Sequence, residues 1–160
     1  IDERGLVIRL VTDDVVFDTG SADVRPAADP LLRVVAKAIE PIPLPIHVEG
    51  HTDSKPFVGD PEGNFKLSVD RGRNVAVFLL ENGVDPTQHA GDVTGTGYAD
   101  WRPLPGLAAS DPKNRRVEIV IVRRDYVKEA QAAATGPIGS NPTAIQAPVQ
   151  SGDIAPVGAG

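Results

Sequence analysis

The segment Arg116 to Val122 carries five β-branched residues in seven positions. It is the strongest strand in the chain. Side chains branched at Cβ fit a pleated, packed surface better than a helix. Leu6 to Val11 is a second such run, and Val15-Val16-Phe17 continues it after the turn-like Asp13-Asp14. Ile46-His47-Val48-Glu49 alternates as a strand with one buried face should, and Asp92 to Thr96 reads as a weaker strand.

Two helices are expected between these runs. Pro30 to Ile39 places Leu32, Val35, Ala36 and Ile39 on one face, with Asp29 as its cap and Pro30 at the first helical position. Pro41, Pro43 and Pro45 end it. The second covers Ser68 to Asn82, capped by Ser68 and closed by Gly83, a residue suited to the left-handed turn that ends many helices. The order β-β-α-β-α-β-β predicts an α/β sandwich: a mixed sheet with helices on one face, as one domain over residues 1–125.

From about Tyr126 the composition changes. Positions 130 to 160 hold one charge, Asp153, and no aromatic residue. A short helix is expected over Val127 to Ala134, followed by a disordered Ala/Pro/Gly-rich tail, because little there can offset the entropy of ordering.

The formal charge of −6 argues against nucleic acid and against attachment to anionic lipid, both of which call for a basic face. Cysteine is absent, which removes disulfides, thiolate catalysis and zinc–sulfur sites. No apolar run approaches the ~20 residues of a membrane helix. The chain opens at Ile1 without a Met and reads as an excised fragment, so a membrane segment of the parent is not excluded.

Asp53 falls at the carboxyl end of a predicted central strand, where open sheets place their sites. Arg71 falls in the first turns of the second helix, beside amide donors that favour an anion. Together they offer a carboxylate to an ammonium and a planar fork to a carboxylate, which suits a zwitterion. A structural Asp53–Arg71 salt bridge is the plainer alternative. A metal set of His47, His51 and Asp53 is disfavoured, because an extended strand separates the two imidazoles by roughly 13 Å. His51 is instead expected to be a hydrogen-bonding residue that orders the loop carrying Asp53. A Ser68–His51–Asp53 triad lacks the strained glycine elbow of a hydrolase. Asn114 is expected to order neighbouring loops, with an Arg of Asn114-Arg115-Arg116 facing a bound carboxylate or a nearby acid. Gly95-Thr96-Gly97 is too weak a signal for phosphate and fits a bend at a strand end.

Gly50-His51-Thr52-Asp53, then Asn64-Phe65-Lys66-Leu67-Ser68 with Arg71, then Asn114-Arg115-Arg116-Val117 resemble three ordered blocks of the OmpA-like family. The resemblance spans about residues 1–125. It implies non-covalent, non-enzymatic binding of the peptidoglycan stem peptide, with Asp53 taking the ammonium of diaminopimelate and Arg71 its carboxylate. Asp18, Thr19 and Gly20 match the loop that helps close the cleft, and Thr52, Asn64 and Arg115 complete the implied site. No cofactor or metal is implied.

Within the family, the Phe17-to-Ala22 block, Pro56 with the longer loop before Asn64, Phe65, and the Gly97-to-Pro103 run resemble the C-terminal periplasmic domain of the MotB stator branch. That branch implies a homodimer in the periplasm, held by a transmembrane helix upstream and partnered by a MotA-type subunit. A general OmpA- or Pal-like tether and, from another class, a cell-wall hydrolase are the alternatives. Gly72 departs from the family's usual Ala and is expected to loosen the second helix.

Overall fold

A computed structural model of the chain describes residues 1–11, 15–89, 91–126 and 128. Four strands, β1 (Gly5–Val11), β2 (Ile46–His51), β3 (Val93–Gly97) and β4 (Arg116–Val122), form one sheet in the order β1-β4-β2-β3. β4 is antiparallel to both β1 and β2, whereas β2 and β3 run parallel. All seven residues of β4 are buried, which accounts for its richness in Val and Ile. Ile119 pairs with Ile8 on one side and Val48 on the other. Burying a side chain of this size contributes roughly 1.5–3 kcal/mol.

Helices α1 (Asp29–Ile39) and α2 (Gly63–Glu81) close one face. Their residues Leu32, Val35, Ala36, Ile39, Val75, Ala76 and Leu79 join Ile46, Val48, Val117, Ile119 and Ile121 in a single core. The fold is therefore the expected mixed sheet with helices, but the element order is β-α-β-α-β-β. The expected second strand does not form. Val16 and Phe17 are fully buried in the core, and Phe17 makes only an isolated bridge to Val24. The chain reverses through Gly20, at φ +72°, so this apolar pair is satisfied by insertion rather than by a ladder.

Helix starts also differ from expectation. Asp29 is the first residue of α1 rather than its cap, and it pairs with Arg33 one turn on. α2 begins five residues before Ser68, so Ser68 lies inside the helix. Its C-terminus is as expected: Gly83 has φ +104°, and the Val84 amide donates to the Leu79 carbonyl at 3.1 Å. Residues 124–126 and Lys128 are helical. The remainder of the expected 127–134 helix, the tail beyond it and the Asp13-Asp14 turn lie outside the described residues.

α2 sits almost on the backbone of β2 and β3. A Cβ at Gly50 would stand 2.0 Å from the Ser68 carbonyl oxygen, and one at Gly72 2.2 Å from that of Thr96. Gly72 thus permits close packing that its helix propensity alone would not favour, and Gly95 and Gly97 serve the same contact rather than a bend. Gly72→Ala should lower stability by about 2–3 kcal/mol, since overpacking outweighs the propensity gain. Chemical denaturation would measure it; an unchanged or raised midpoint would contradict the close contact.

Candidate functional site

The strand β2 delivers the chain to Thr52 and Asp53, and α2 fixes where they go. Ser68, buried within α2, donates its hydroxyl to the Phe65 carbonyl at 2.8 Å and accepts the Ala99 amide at 3.0 Å. Ala99 has φ +46°, and its carbonyl accepts the Thr52 amide at 2.8 Å. Ser68 is thus a structural pin between helix and loop. Asn64 closes the same loop from the start of α2: its amide nitrogen donates to the Asp53 carbonyl at 3.3 Å and to the Lys55 carbonyl at 2.8 Å.

Asp53 is 4 % exposed. One carboxylate oxygen is ion-paired with the Arg115 guanidinium, and the other accepts the Lys55 amide at 3.3 Å. Asn114 orders the loop beside Arg115, accepting from the Leu104 amide and donating to the Ala108 carbonyl, both at 2.8 Å. Asp53, Arg115, Asn64, Lys55 and the Thr19-Gly20 turn line a cavity of about 480 Å³ whose apolar walls are Pro56, Phe57, Val58 and Leu67. It has an acid and two bases at its margin, so it can accept a ligand bearing both charges beside an aliphatic chain.

Four of the seven expected site residues, Thr19, Asp53, Asn64 and Arg115, line this cavity. Thr52 is buried and does not line it, and its Oγ1 has no hydrogen-bond partner among the described residues. The Asp18 carboxylate is exposed and lies 3.3 Å from the Arg25 guanidinium. Arg71 is 1 % exposed. Its Nε donates to the Ser21 carbonyl at 2.8 Å and Nη2 to the Asp18 carbonyl at 3.3 Å, while the guanidinium stacks 4.9 Å from the Phe17 ring centre. Asn74 holds the same segment through the Ala22 carbonyl. Arg71 therefore fixes the turn that presents Thr19 and Gly20. Lys55, Phe57 and Leu67 were not anticipated. Lys55 could have been, as a base two residues from Asp53; the apolar pair depends on how the 54–62 loop folds back.

The OmpA family model matches residues 16–116, a span running from Val16 in the core through Asp53, Arg71 and Arg115 to the start of β4. This chain belongs to the OmpA family. Motility protein B of Bacillus subtilis is 34 % identical over 126 residues, covering 76 % of this chain and 46 % of that protein. Among solved structures, the periplasmic domain of Helicobacter pylori MotB (residues 97–256) has a TM-score of 0.62 at 22 % identity, covering 86 % of this chain and 97 % of that one. The cell wall anchor of the T6SS from Pseudomonas aeruginosa has a TM-score of 0.58 at 30 % identity, covering 73 % and 81 %. The chain spans about half the length of the Bacillus subtilis proteins it matches. No helix among the described residues of this OmpA-family domain is long and apolar enough to cross a membrane.

The three residues of the disfavoured metal set go to separate partners. His47 lies 3.1 Å from the Asp92 carboxylate, and Asp53 is paired with Arg115. His51, instead of bonding within its loop, is 1 % exposed and stacks on Tyr98 at 5.5 Å. Its ring faces a different cluster on the sheet surface away from the helices, where Glu49, His51 and Glu118 bring their ligand atoms within 4.8 Å of one another. Guanidinium groups already occupy those carboxylates. Arg4 bridges Glu49 and Glu118, with 2.8 Å to the latter, and Arg9 and Arg116 bond the other Glu118 oxygen at 2.9 and 2.8 Å.

Burial alone would raise the Glu118 carboxyl, but bonds from Arg116, Arg4 and Arg9 outweigh it and hold the pKa at about 2, against 4.5 ordinarily. Burial lowers the His51 pKa, against the raising effect of the Glu49 and Glu118 carboxylates. A carboxyl depressed by folding stabilises the native state above its unfolded pKa and loses that contribution as pH falls. Stability should therefore drop by roughly 3 kcal/mol between pH 4.5 and 2. Glu118→Gln should flatten this part of a denaturation-versus-pH profile; an unaltered slope would remove Glu118 from the account.

Proposed function

We propose that this chain binds the diaminopimelate-bearing stem peptides of peptidoglycan without cleaving them, as the wall-anchoring part of a flagellar motor stator. The observation that carries the reading is the buried Asp53 carboxylate in a cavity margined by Arg115 and Lys55. Asp53 takes the ligand's ammonium. Arg115 takes its carboxylate together with the Thr19-Gly20 turn that Arg71 holds, and Phe57 and Leu67 flank the aliphatic chain. Arg71 could reach the carboxylate itself only by exchanging its bonds to Ser21 and Asp18.

Ser68 favours binding over hydrolysis, because its hydroxyl is spent on the Phe65 carbonyl and the Ala99 amide. The likeness to motility protein B favours the stator role, with a periplasmic location, a homodimer, a membrane helix upstream and a MotA-type partner. The likeness to a T6SS cell wall anchor favours a second reading, an envelope tether without a motor. Charge-assisted hydrogen bonds of roughly 1.5–3 kcal/mol each, less the cost of immobilising the ligand, place a single site between about millimolar and micromolar. A dimer on a wall presenting many stems would hold far more tightly.

Co-sedimentation with purified peptidoglycan tests the reading. The domain should pellet with the wall and release no new muropeptides; failure to pellet, or release of fragments, would overturn it. Deleting the parent gene should leave flagella assembled but cells unable to swim, whereas normal swimming would leave the tether.

A further inference from the structure

Phe65 and Trp101 stack on one another with ring centres 5.5 Å apart and planes within 22°. Both are exposed, Phe65 by 43 % and Trp101 by 67 %. Pairs of large aromatic rings usually bury one another's faces in a core; this one leaves an open apolar surface beside a cavity of about 490 Å³ that includes Asn64, Glu62 and Asp100. Asn64 also lines the Asp53 cavity, so the two depressions share a wall.

We infer that the Phe65–Trp101 platform is a second subsite, and that it takes a pyranose ring of the glycan strand; the inference rests on the wall-binding reading above. The aromatic face carries negative charge density, which attracts the weakly positive C–H bonds on the flat face of a sugar ring. The rim supplies what the sugar's edge needs: the Glu62 and Asp100 carboxylates accept from hydroxyl groups, and the Asn64 side chain adds an amide. An anionic rim of this kind disfavours a nucleotide or an acidic peptide on the same rings. The cavity holds a single pyranose with room for its neighbour. Two elements set the platform: the first turn of α2 carries Phe65, and the loop after Ala99 carries Trp101. Ser68 ties these elements together through its bonds to Phe65 and Ala99, so the platform is fixed relative to Asp53.

Trp101 is the sole tryptophan in the chain, so its fluorescence reports directly on the subsite. The probes are the disaccharide of N-acetylglucosamine and N-acetylmuramic acid with its lactyl carboxyl capped as the amide it forms in the wall, and free diaminopimelate. The disaccharide should shift Trp101 emission saturably in the wild type and equally in Asp53→Ala. Phe65→Ala should weaken that binding roughly tenfold, a loss corresponding to one aromatic contact, while leaving diaminopimelate binding by calorimetry unchanged. Trp101→Ala, read by calorimetry, should behave as Phe65→Ala does. Disaccharide that fails to bind a domain still binding diaminopimelate would overturn the subsite and leave the wall-binding reading standing. Loss of diaminopimelate binding in the wild type would instead strike that reading. If either aromatic substitution dissociates a dimer in sedimentation without changing disaccharide affinity, the platform is a contact between copies and the inference fails.

Discussion

Arg71→Ala is expected to destabilise the domain by roughly 3–5 kcal/mol. The side chain is enclosed, and the bonds to the Ser21 and Asp18 carbonyls and the contact with the Phe17 ring leave with it. Truncation leaves those acceptors short of a donor where water has little access, and opens a void beside a core aromatic. Wall binding should fall as well, because the Asp18–Ser21 turn loses the anchor that sets Thr19 and Gly20 at the cavity edge. Arg71→Lys should not rescue either property, since one ammonium cannot reproduce the planar fork. Thermal and chemical denaturation would measure the loss. A variant as stable as the wild type would show that Arg71 is poised for ligand and does not support the turn.

Asp53→Ala should sharply reduce co-sedimentation with peptidoglycan, leaving only what the glycan subsite holds, and keep the melting temperature within a few degrees of the wild type. The contrast with Arg71 arises from what each side chain holds. Asp53 contributes an ion pair to Arg115 and a long bond from the Lys55 amide, and the Arg115 side chain is 24 % exposed, so water reaches it when Asp53 is gone. The backbone that carries Asp53 keeps its own ties, through the Thr52 amide to Ala99 and through Asn64 to the 53 and 55 carbonyls. Binding loses its counter-charge for the ammonium and leaves Arg115 to repel it. Retention of wild-type pelleting by Asp53→Ala would remove the cavity from the account.

Much of this was legible in the chain because periodicity and packing agreed. The β-branched run from Arg116 to Val122 marks a buried strand, and β4 is indeed internal to the sheet, with β1 and β2 beside it. The Val15–Phe17 run misled because β-branched and aromatic residues record burial, not pairing, and two core-seeking side chains do not make a ladder. Ser68 misled differently. A serine ahead of an apolar run resembles a cap, yet the helix starts at Gly63 and the hydroxyl serves a tertiary bond instead.

At the site, sequence spacing aimed Asp53 and Arg71 at one cleft but could not say which basic group would meet the acid. That depends on the 16–25 reversal settling over α2, which occupies Arg71 with carbonyls and leaves Arg115 facing the cavity. The glycines at 50, 72, 95 and 97 were equally opaque. Their common purpose exists only once α2 is laid against β2 and β3.

The central claim is that a zwitterion occupies the cavity margined by Asp53 and Arg115, and a titration of isotope-labelled domain with free diaminopimelate tests it most directly by nuclear magnetic resonance. Amide shifts that saturate at Thr19, Gly20, Asp53, Lys55, Asn64 and Arg115, and that vanish in Asp53→Ala, are the predicted result. No saturable shift at those residues, or an undiminished response in Asp53→Ala, would contradict it.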